Sequence, residues 1–457
     1  MGLFSAVTWI VGLFQRKVAR SKESIHPQEV ISHDEGHERS YVVVGAGAFG
    51  ASTALQLIRD YPLAKIYLID RSPFPYKGGA SWDWNKVIRA DYTTLLYMRL
   101  ALEALEKWRL DPLYKNFYHQ SGLAWLADSR ISQTIIDNYH EVGHKHQPQL
   151  LTTEDVRNRW GGIHADASYQ DVTQIFYNES SGWAEAANAL QGVIERAVDE
   201  GVEYVVADIK RVLFDDSGSV IGVSTEKGEP IFASHTILAT GAMTASILAD
   251  SAPTRPEVQL GGRMVAAAIC SAMVKLSEKD AQAFRQGPVF VNDLDNIIGG
   301  SLPPNSDSYL KAYRDQSFKN TIHHEASGQE ISVPPNEPDY GQWTLTPGML
   351  KELRTSLKGI FGDKTQDWEL VNSRICWDAV TPTQDPIICE HPHAKNLFLV
   401  TGGSFHGYKF LPIIGGYVVK MIQGKLDAEL AKIWAWDREH EGEAHEGMFP
   451  TREMADV

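Results

Sequence analysis

Three glycines and one acidic residue have the types and the spacing that bind a phosphate-bridged cofactor. Gly45, Gly47 and Gly50 form the pattern G-x-G-x-x-G, and Asp70 follows about 20 residues after the last of them. In this pattern the first glycine allows a tight turn, the second lets the backbone approach a pyrophosphate, and the third lets a helix pack on a strand. The acidic residue binds a ribose 2′-hydroxyl. These residues predict a dinucleotide site; the alternative is a glycine-rich turn in an α/β domain that binds no nucleotide.

A strand–turn–helix–strand unit must position these residues. The sequence YVVV from Tyr41 predicts a strand, the residues after the glycines have a helical pattern, and KIYLID predicts a second strand that ends at Asp70. The helix would begin at the glycines, so its free N–H groups would face the phosphates. Because all the parts occur in order, we favour the dinucleotide site over an empty turn.

Two further strands with glycine turns indicate which dinucleotide is bound. Residues 233–244, ASHTILATGAMT, predict a buried strand that runs into the turn at Thr240 and Gly241. Residues 396–410, NLFLVTGGSFHGYKF, predict another strand with a glycine turn, followed by Lys409. One nicotinamide domain would not need so many strands spread over the chain. FAD is extended, and its sheet is assembled from separated segments, so the sequence favours FAD.

The remaining segments predict a second domain. Residues 95–109 have a helical repeat, a second long helix is predicted from Gly182 to a cap at Gly201, and residues 255–371 alternate strands with proline-rich loops. We predict an α/β fold: a Rossmann-like FAD-binding domain built from discontinuous segments, and an α+β substrate domain with an antiparallel sheet. The predicted parts are an N-terminal extension and linker (1–39), the FAD-binding domain (40–95, 180–254 and 372–436), the substrate domain (96–179 and 255–371) and a C-terminal tail (437–457).

Composition excludes several classes of partner. The net charge of −15 argues against a nucleic-acid surface, which needs a basic face. Three cysteines in 457 residues form no disulfide framework and indicate a reducing compartment, so we predict a cytoplasmic protein. Because no cysteine and histidine cluster has zinc spacing, we predict no metal.

The N-terminus has an unusual apolar segment, residues 3–14, LFSAVTWIVGLF, followed by QRKVARSK. About 20 apolar residues are needed to span a bilayer, so this segment is too short. The positive charges follow it, whereas a signal peptide carries them in front. We favour a disordered or core-packed extension; the alternative is an anchor that lies in the headgroup layer of a membrane.

The sequence also resembles a known family. The motifs GAGAFG and ATG, together with RICWDAVTPTQDP (374–386) and TGGSFHGYKFLPIIG (401–415), resemble the flavin amine oxidases of the D-amino-acid oxidase superfamily. The similar branch contains monomeric sarcosine oxidase, fructosyl amino acid oxidases (amadoriases), and pipecolate and saccharopine oxidases. The resemblance extends from about Tyr41 to about Trp436 and implies a monomer.

The resemblance implies roles for four residues. Cys376 matches the cysteine that is bonded to the 8α carbon of the flavin ring; the alternative is a small buried hydrophobic residue. Lys409 and Arg89 match the residues that bind the substrate carboxylate. Lys86 matches a basic residue against the ring and resembles the oxygen-activating lysine of the amadoriases. Lys86 and Arg89 could instead be solvated charges.

The motifs and the resemblance together imply a larger cofactor site. Its predicted residues are Gly45, Gly47, Phe49, Gly50, Asp70, Arg71, Ser81, Lys86, Val206, Thr240, Gly241, Cys376, Gly403, Phe405, Gly407, Tyr408 and Lys409. The sequence departs from the family at Phe405, where glycine is usual, and this departure leaves the substrate open. Residues 81–92, SWDWNKVIRADY, match the family loop that passes over the flavin, and Trp82 and Trp84 make this loop unusually aromatic.

The expected activity is FAD-dependent oxidation of a secondary amine on an amino acid by molecular oxygen, giving an imine and hydrogen peroxide. Saccharopine, pipecolate and N-methyl amino acids are the expected kinds of substrate, and the enzyme could tailor a fungal secondary metabolite. Alternatives are a deglycating fructosyl amino acid oxidase, a membrane-associated flavin dehydrogenase that uses a quinone, and a flavin-binding module without turnover.

Overall fold

The computed structural model of the protein describes residues 39–170, 172–294, 297–335, 341–438 and 449–457. Residues 1–38, with the apolar segment 3–14, lie outside the described residues. The helices in the described ranges are α1 (Ala48–Asp60), α2 (Leu95–Leu110), α3 (Ser129–Glu141), α4 (Thr153–Asn158), α5 (Ala186–Glu200), α6 (Thr244–Ser251), α7 (Glu278–Phe284), α8 (Pro347–Phe361), α9 (Ile414–Ile422) and α10 (Ala428–Ile433). In this part of the chain, no helix is long and apolar enough to cross a membrane.

The strands in the same ranges are short, except for three strands that are each eleven residues long (Val265–Lys275, Tyr309–Lys319 and Leu370–Val380). They are β1 (Ser40–Val44), β2 (Lys65–Asp70), β3 (Lys86–Ile88), β4 (Tyr118–His119), β5 (Leu123–Leu126), β6 (Gln149–Thr152), β7 (Gln174–Asn178), β8 (Gly182–Ala184), β9 (Glu203–Val206), β10 (Ile209–Phe214), β11 (Val220–Thr225), β12 (Ile231–Phe232), β13 (His235–Leu238), β14 (Val265–Lys275), β15 (Val289–Asn292), β16 (Gly299–Leu302), β17 (Tyr309–Lys319), β18 (Thr321–His324), β19 (Gln329–Ser332), β20 (Leu370–Val380), β21 (Ile387–Glu390) and β22 (Leu397–Thr401).

A six-stranded sheet gathers segments that are far apart in the chain. Its order is β21-β22-β13-β1-β2-β9, and all its pairs are parallel except β21 with β22. The β-branched residues of β1 are buried, because the strand is covered on both faces. The carboxyl ends of β1, β2, β13 and β22 therefore lie at one edge of the sheet. This sheet confirms the predicted α/β class and its discontinuous construction.

An eight-stranded, mostly antiparallel sheet has the order β20-β14-β17-β16-β15-β5-β7-β6. Ser271 of β14 lies opposite both Tyr313 of β17 and Arg374 of β20, and Ile269 lies opposite Cys376. Because side chains alternate along a strand, residues two apart share a face. The register thus places these residues on a common face of the sheet.

The division into domains stays a prediction, although one strand crosses a predicted boundary. β20 pairs with β14 in the eight-stranded sheet, whereas the predicted FAD-binding segment begins at residue 372. The predicted start of a long helix at Gly182 is wrong. Gly182 belongs to β8 and pairs with Ile88, and a Cβ there would lie 2.1 Å from the carbonyl oxygen of His119. Glycine is therefore needed for close strand packing, and the helix begins at Ala186.

Candidate active site

A cavity of ≈ 2260 Å³ is bordered by both sheets. Its wall includes Gly45 and Thr240, which follow strands of the six-stranded sheet. It also includes Ser271, Lys311 and Cys376 from the common face of the eight-stranded sheet. Ordinary ligand pockets have about 300–1,000 Å³, so this cavity has room for an extended cofactor together with a substrate.

The predicted glycines have the geometry that their spacing implies. Gly45 has φ +98°, and a Cβ there would lie 2.4 Å from the carbonyl oxygen of Ala239. A Cβ on Gly50 would lie 1.8 Å from the carbonyl oxygen of Gly45, so Gly50 serves the packing of α1 on β1. At Gly241, which also lines the cavity, a Cβ would meet open space. The backbone can therefore approach a bound molecule at this edge.

Asp70 and Ser81 hold the loop that follows β1. Asp70 Oδ2 accepts a hydrogen bond from the N–H of Ala46 at 2.8 Å, and Ser81 Oγ accepts one from the N–H of Ala48 at 2.8 Å. Burial raises the pKa of the Asp70 carboxyl above its usual value, although the N–H groups of Ala46 and Arg71, which both donate to this carboxylate, oppose the effect. The acid at the end of β2 is thus bonded to the glycine loop and lines the cavity.

A buried carboxylate, Asp83, gathers three cations in the cavity wall. Its Oδ2 lies 2.6 Å from Lys311 Nζ, 3.1 Å from Lys86 Nζ and 3.9 Å from the guanidinium of Arg374. Burial alone would raise the pKa of Asp83, but the three cations lower it well below its usual value. Burial lowers the pKa of Lys311. Burial also acts to lower the pKa of Lys86, but Asp83 and Cys376 together raise it above its usual value. The four groups leave an excess of positive charge beside the cavity.

Cys376 lies within this positively charged region. Its side chain is buried in the middle of β20, lines the cavity, and interacts electrostatically with Lys86 and Lys311. The carboxamide of Asn85 and the hydroxyl of Ser271 are also buried in the cavity wall. Within the described part of the chain, neither group has a hydrogen-bond partner. Buried polar groups are normally satisfied, so their position indicates a bound polar group or water in the cavity.

Lys409 and Arg89 converge on one tyrosine at another part of the wall. Lys409 Nζ donates hydrogen bonds to Tyr92 Oη at 2.8 Å and to the carbonyl oxygen of His406 at 3.1 Å. The guanidinium of Arg89 lies 4.9 Å from the centre of the Tyr92 ring and 5.1 Å from that of Trp125. Burial, with the charge of Arg89, lowers the pKa of Lys409 well below its usual value. Two basic side chains thus border the same cavity.

Phe405 occupies a position that favours glycine. Its φ is +60°, in the left-handed region, which costs a residue with a side chain roughly 1–2 kcal/mol. Asp378 Oδ2 accepts the N–H of Phe405 at 2.8 Å and holds this turn. The glycine expected from the family resemblance is therefore replaced without loss of the turn.

The cavity brings together most of the predicted site residues. Among those named from the sequence, Gly50 and Val206 do not border it: Gly50 packs against the glycine turn, and Val206 is 54 % exposed at the end of β9, although the next residue, Ala207, lines the cavity. The bordering residues are Gly45, Gly47, Phe49, Asp70, Arg71, Ser81, Lys86, Arg89, Thr240, Gly241, Cys376, Gly403, Phe405, Gly407, Tyr408 and Lys409.

Sequence reasoning missed Lys311, Asp83, Tyr92 and His406. Lys311 had one available signal: in the buried strand YLKAYRDQSFK it is a lysine between two apolar residues. Tyr92 and His406 stand inside the quoted motifs, but nothing local indicates that they contact each other across the chain.

The sequence matches the family model DAO, FAD dependent oxidoreductase, over residues 40–421. L-saccharopine oxidase of Schizosaccharomyces pombe is 28% identical over 425 residues, which cover 87% of this chain and 93% of that protein. Monomeric sarcosine oxidase of Bacillus sp. is 23% identical over a match that covers 85% of this chain and 94% of that protein. Among solved structures, a fructosyl peptide oxidase from E. terrenum superposes with a TM-score of 0.79 at 26% identity, covering 93% of this chain and 98% of that one.

Proposed function

The chain belongs to the FAD dependent oxidoreductase family, and we propose that it oxidises a secondary amine carried by an amino acid, with molecular oxygen as the acceptor. The observation that carries this proposal is the pairing of two basic side chains, Arg89 and Lys409, in the same cavity as Cys376 and the dinucleotide edge, which is formed by Gly45, Gly47 and Gly241. Such a pair fits a carboxylate, and a carboxylate beside a flavin site fits an amino-acid substrate.

The residues of the cavity fit FAD. Gly45, Gly47 and Gly241 border the cavity, and the open space at Gly241 leaves room for a pyrophosphate close to the backbone. The unsatisfied groups of Asn85 and Ser271 would gain partners from a polar ring. When bound, FAD accepts a hydride equivalent from the substrate and is reoxidised by oxygen, which yields hydrogen peroxide.

Arg89 and Lys409 would hold the substrate by its carboxylate and fix the orientation of the C–H bond next to the amine. Fixing two reactants in a reactive geometry can supply about 7–11 kcal/mol of the barrier reduction. The guanidinium of Arg89 and the Nζ of Lys409 lie 4.9 and 5.0 Å from the centre of the Tyr92 ring, so this ring sets their spacing.

Lys86 would serve the reaction of oxygen. A cation in a buried site stabilises the negative charge that oxygen acquires during reduction. Lys311 shares Asp83 with Lys86 and also borders the cavity, so the two ammonium groups act on the same region. Their combined charge exceeds that of the single carboxylate between them, which favours an anion in the cavity.

We further propose that FAD is covalently attached through the sulfur of Cys376. This proposal is supported by the family resemblance and by the position of the thiol in the cavity wall beside Lys86. A thioether would tether the ring and alter its electronic properties. The protein would act as a cytoplasmic monomer.

The relatives suggest the kind of amine. L-saccharopine oxidase and monomeric sarcosine oxidase are named for substrates in which the nitrogen carries two carbon substituents, so saccharopine, pipecolate and N-methyl amino acids are the first candidates. The fructosyl peptide oxidase structures favour a deglycating activity as the second candidate.

A peroxide-coupled screen tests the proposal. Each secondary amino acid should be measured beside its decarboxylated counterpart, for example pipecolate beside piperidine, and beside a primary amino acid. We expect peroxide only from the amine that carries a carboxylate. Equal turnover of piperidine and pipecolate would show that the cationic pair does not select the substrate, and reduction of a quinone without peroxide would show that the acceptor is not oxygen.

A further inference from the structure

The hydrogen bonds around Lys409 have a fixed direction. His406 Nε2 lies 2.9 Å from the carbonyl oxygen of Gln384, which can only accept, so Nε2 carries the proton. Burial holds the pKa of His406 at about 3, so the ring is neutral and its Nδ1 is an acceptor. Tyr92 Oη lies 2.9 Å from this Nδ1 and must donate to it. The tyrosine oxygen is then left to accept from Lys409.

These hydrogen bonds determine which bonding position of the Lys409 nitrogen remains free. Two of its N–H bonds go to Tyr92 Oη and to the carbonyl oxygen of His406. The nitrogen is tetrahedral, so one position remains, and Lys409 borders the cavity. In a charged lysine this position holds a third N–H; in a neutral lysine it holds the lone pair. Either group is thus available to a molecule in the cavity.

The charges near Lys409 disfavour its ammonium form before a substrate binds. Among the described residues, no carboxylate oxygen lies within the 4.0 Å of an ion pair with its Nζ. Arg89 faces it from the segment after β3, and burial with this positive charge lowers its pKa, which Asp91 only partly offsets. Tyr92 and His406 contact Lys409 directly, and the pair Tyr97 and Asp385, from α2 and the loop after β20, lies next to His406.

An amino-acid substrate brings both a carboxylate and a proton. In water its amine is an ammonium, and the amine must lose this proton before it can be oxidised. We propose that Lys409 takes up that proton from the substrate, and that Tyr92 and His406 are positioning residues that direct its free bonding position into the cavity. The N–H bond of the substrate ammonium breaks, its electron pair stays on the amine nitrogen, and a new N–H bond forms on Lys409. The resulting ammonium then binds the substrate carboxylate.

This inference rests on the proposed function, but it can be tested by binding alone. The probe is tetrahydropyran-2-carboxylate, which has the shape of pipecolate and a carboxylate but no amine proton. Isothermal titration calorimetry of the flavin-loaded protein at pH 8, in buffers with different heats of ionisation, counts the protons that binding takes up. We expect about one proton per bound probe for the wild type, because the anion favours the charged lysine.

Lys409→Arg is the matched variant, because a guanidinium is always charged. It should bind the probe with no proton uptake. Binding to the wild type without proton uptake would overturn the proposal, and so would an absence of binding, because the carboxylate contact would then be missing. If these results are as expected and no secondary amine reduces the flavin, the proposed function fails while the protonation behaviour of Lys409 stands.

Tyr92→Phe tests the positioning role. Loss of an acceptor for the charged lysine should weaken probe binding by about tenfold and move the upper pH limit of proton uptake down by about one unit. Tyr118→Phe is the control, since its hydroxyl bonds the carbonyl oxygen of Ser180 and does not border the cavity. A purely structural role of Tyr92 would lower thermal stability without moving the pH limit, and that outcome would contradict its assignment.

Discussion

Replacement of Asp83 by asparagine should destabilise the protein through three cations that lose their common partner. At the 2.6 Å separation from Lys311 Nζ, the attraction is about 6 kcal/mol at an effective dielectric constant of about 20. Desolvation offsets part of it. Removal of one partner of a buried ion pair costs about 3–5 kcal/mol, because the other charge stays buried. We expect Asp83→Asn to lower the free energy of unfolding by about 3–5 kcal/mol.

The expected change can be measured by thermal unfolding. For about 400 residues, an unfolding entropy of about 2.1 cal/mol/K per residue converts this loss into a fall of about 4–6 °C in the unfolding midpoint. Asp216→Asn, which removes an exposed carboxylate, should change the midpoint by less than about 1 °C. Addition of Lys311→Met to Asp83→Asn should restore part of the loss, since one of the unpaired cations is then removed.

The pH dependence provides a second check. The cations lower the pKa of Asp83 in the folded state. The stability that its carboxylate contributes is therefore present above the pKa of the unfolded state, about 3.9, and is lost as the pH falls toward the folded pKa. The difference between wild type and Asp83→Asn should therefore be constant from pH 8 to about pH 5 and should shrink below about pH 4. A midpoint for Asp83→Asn within 1 °C of the wild type at pH 7 would refute the ion cluster as a stabilising contact.

Three further predictions concern the proposed chemistry. After denaturation in acid, the yellow colour should stay with the wild-type polypeptide and be released from Cys376→Ala; release from both would contradict the covalent bond. In stopped-flow experiments, Lys86→Met should slow reoxidation of the flavin by air and spare its anaerobic reduction, whereas Lys409→Met should weaken substrate use by about ten- to a hundredfold. The reverse pattern for Lys86→Met would contradict its assignment. Deletion of residues 1–35 should leave turnover of a soluble substrate within a few fold; loss of flavin would show that this segment packs on the folded body.

The dinucleotide edge could be predicted from the sequence because its determinants are local. Gly45 and Asp70 belong to one strand–turn–helix–strand unit, and the φ of +98° at Gly45 is a property of the turn itself. The motif around Cys376 was also sufficient to indicate a flavin amine oxidase. The helix start was misplaced because Gly182 serves a contact between strands, which a helical pattern does not reveal.

The contacts that complete the candidate site were decided by the tertiary structure. Lys311 meets Asp83 across 228 residues, and Lys409 meets Tyr92 across 317. Alternation along β17 shows only that Lys311 shares a face with Tyr313; the register with its neighbouring strand and the position of the loop before β3 determine the partner. The sequence by itself therefore determined the cofactor edge and the kind of enzyme. The protonation state of Lys409 and the direction of its hydrogen bonds follow from burial and from residues brought together by folding, because burial and bonding partners set the free energy of a charged group.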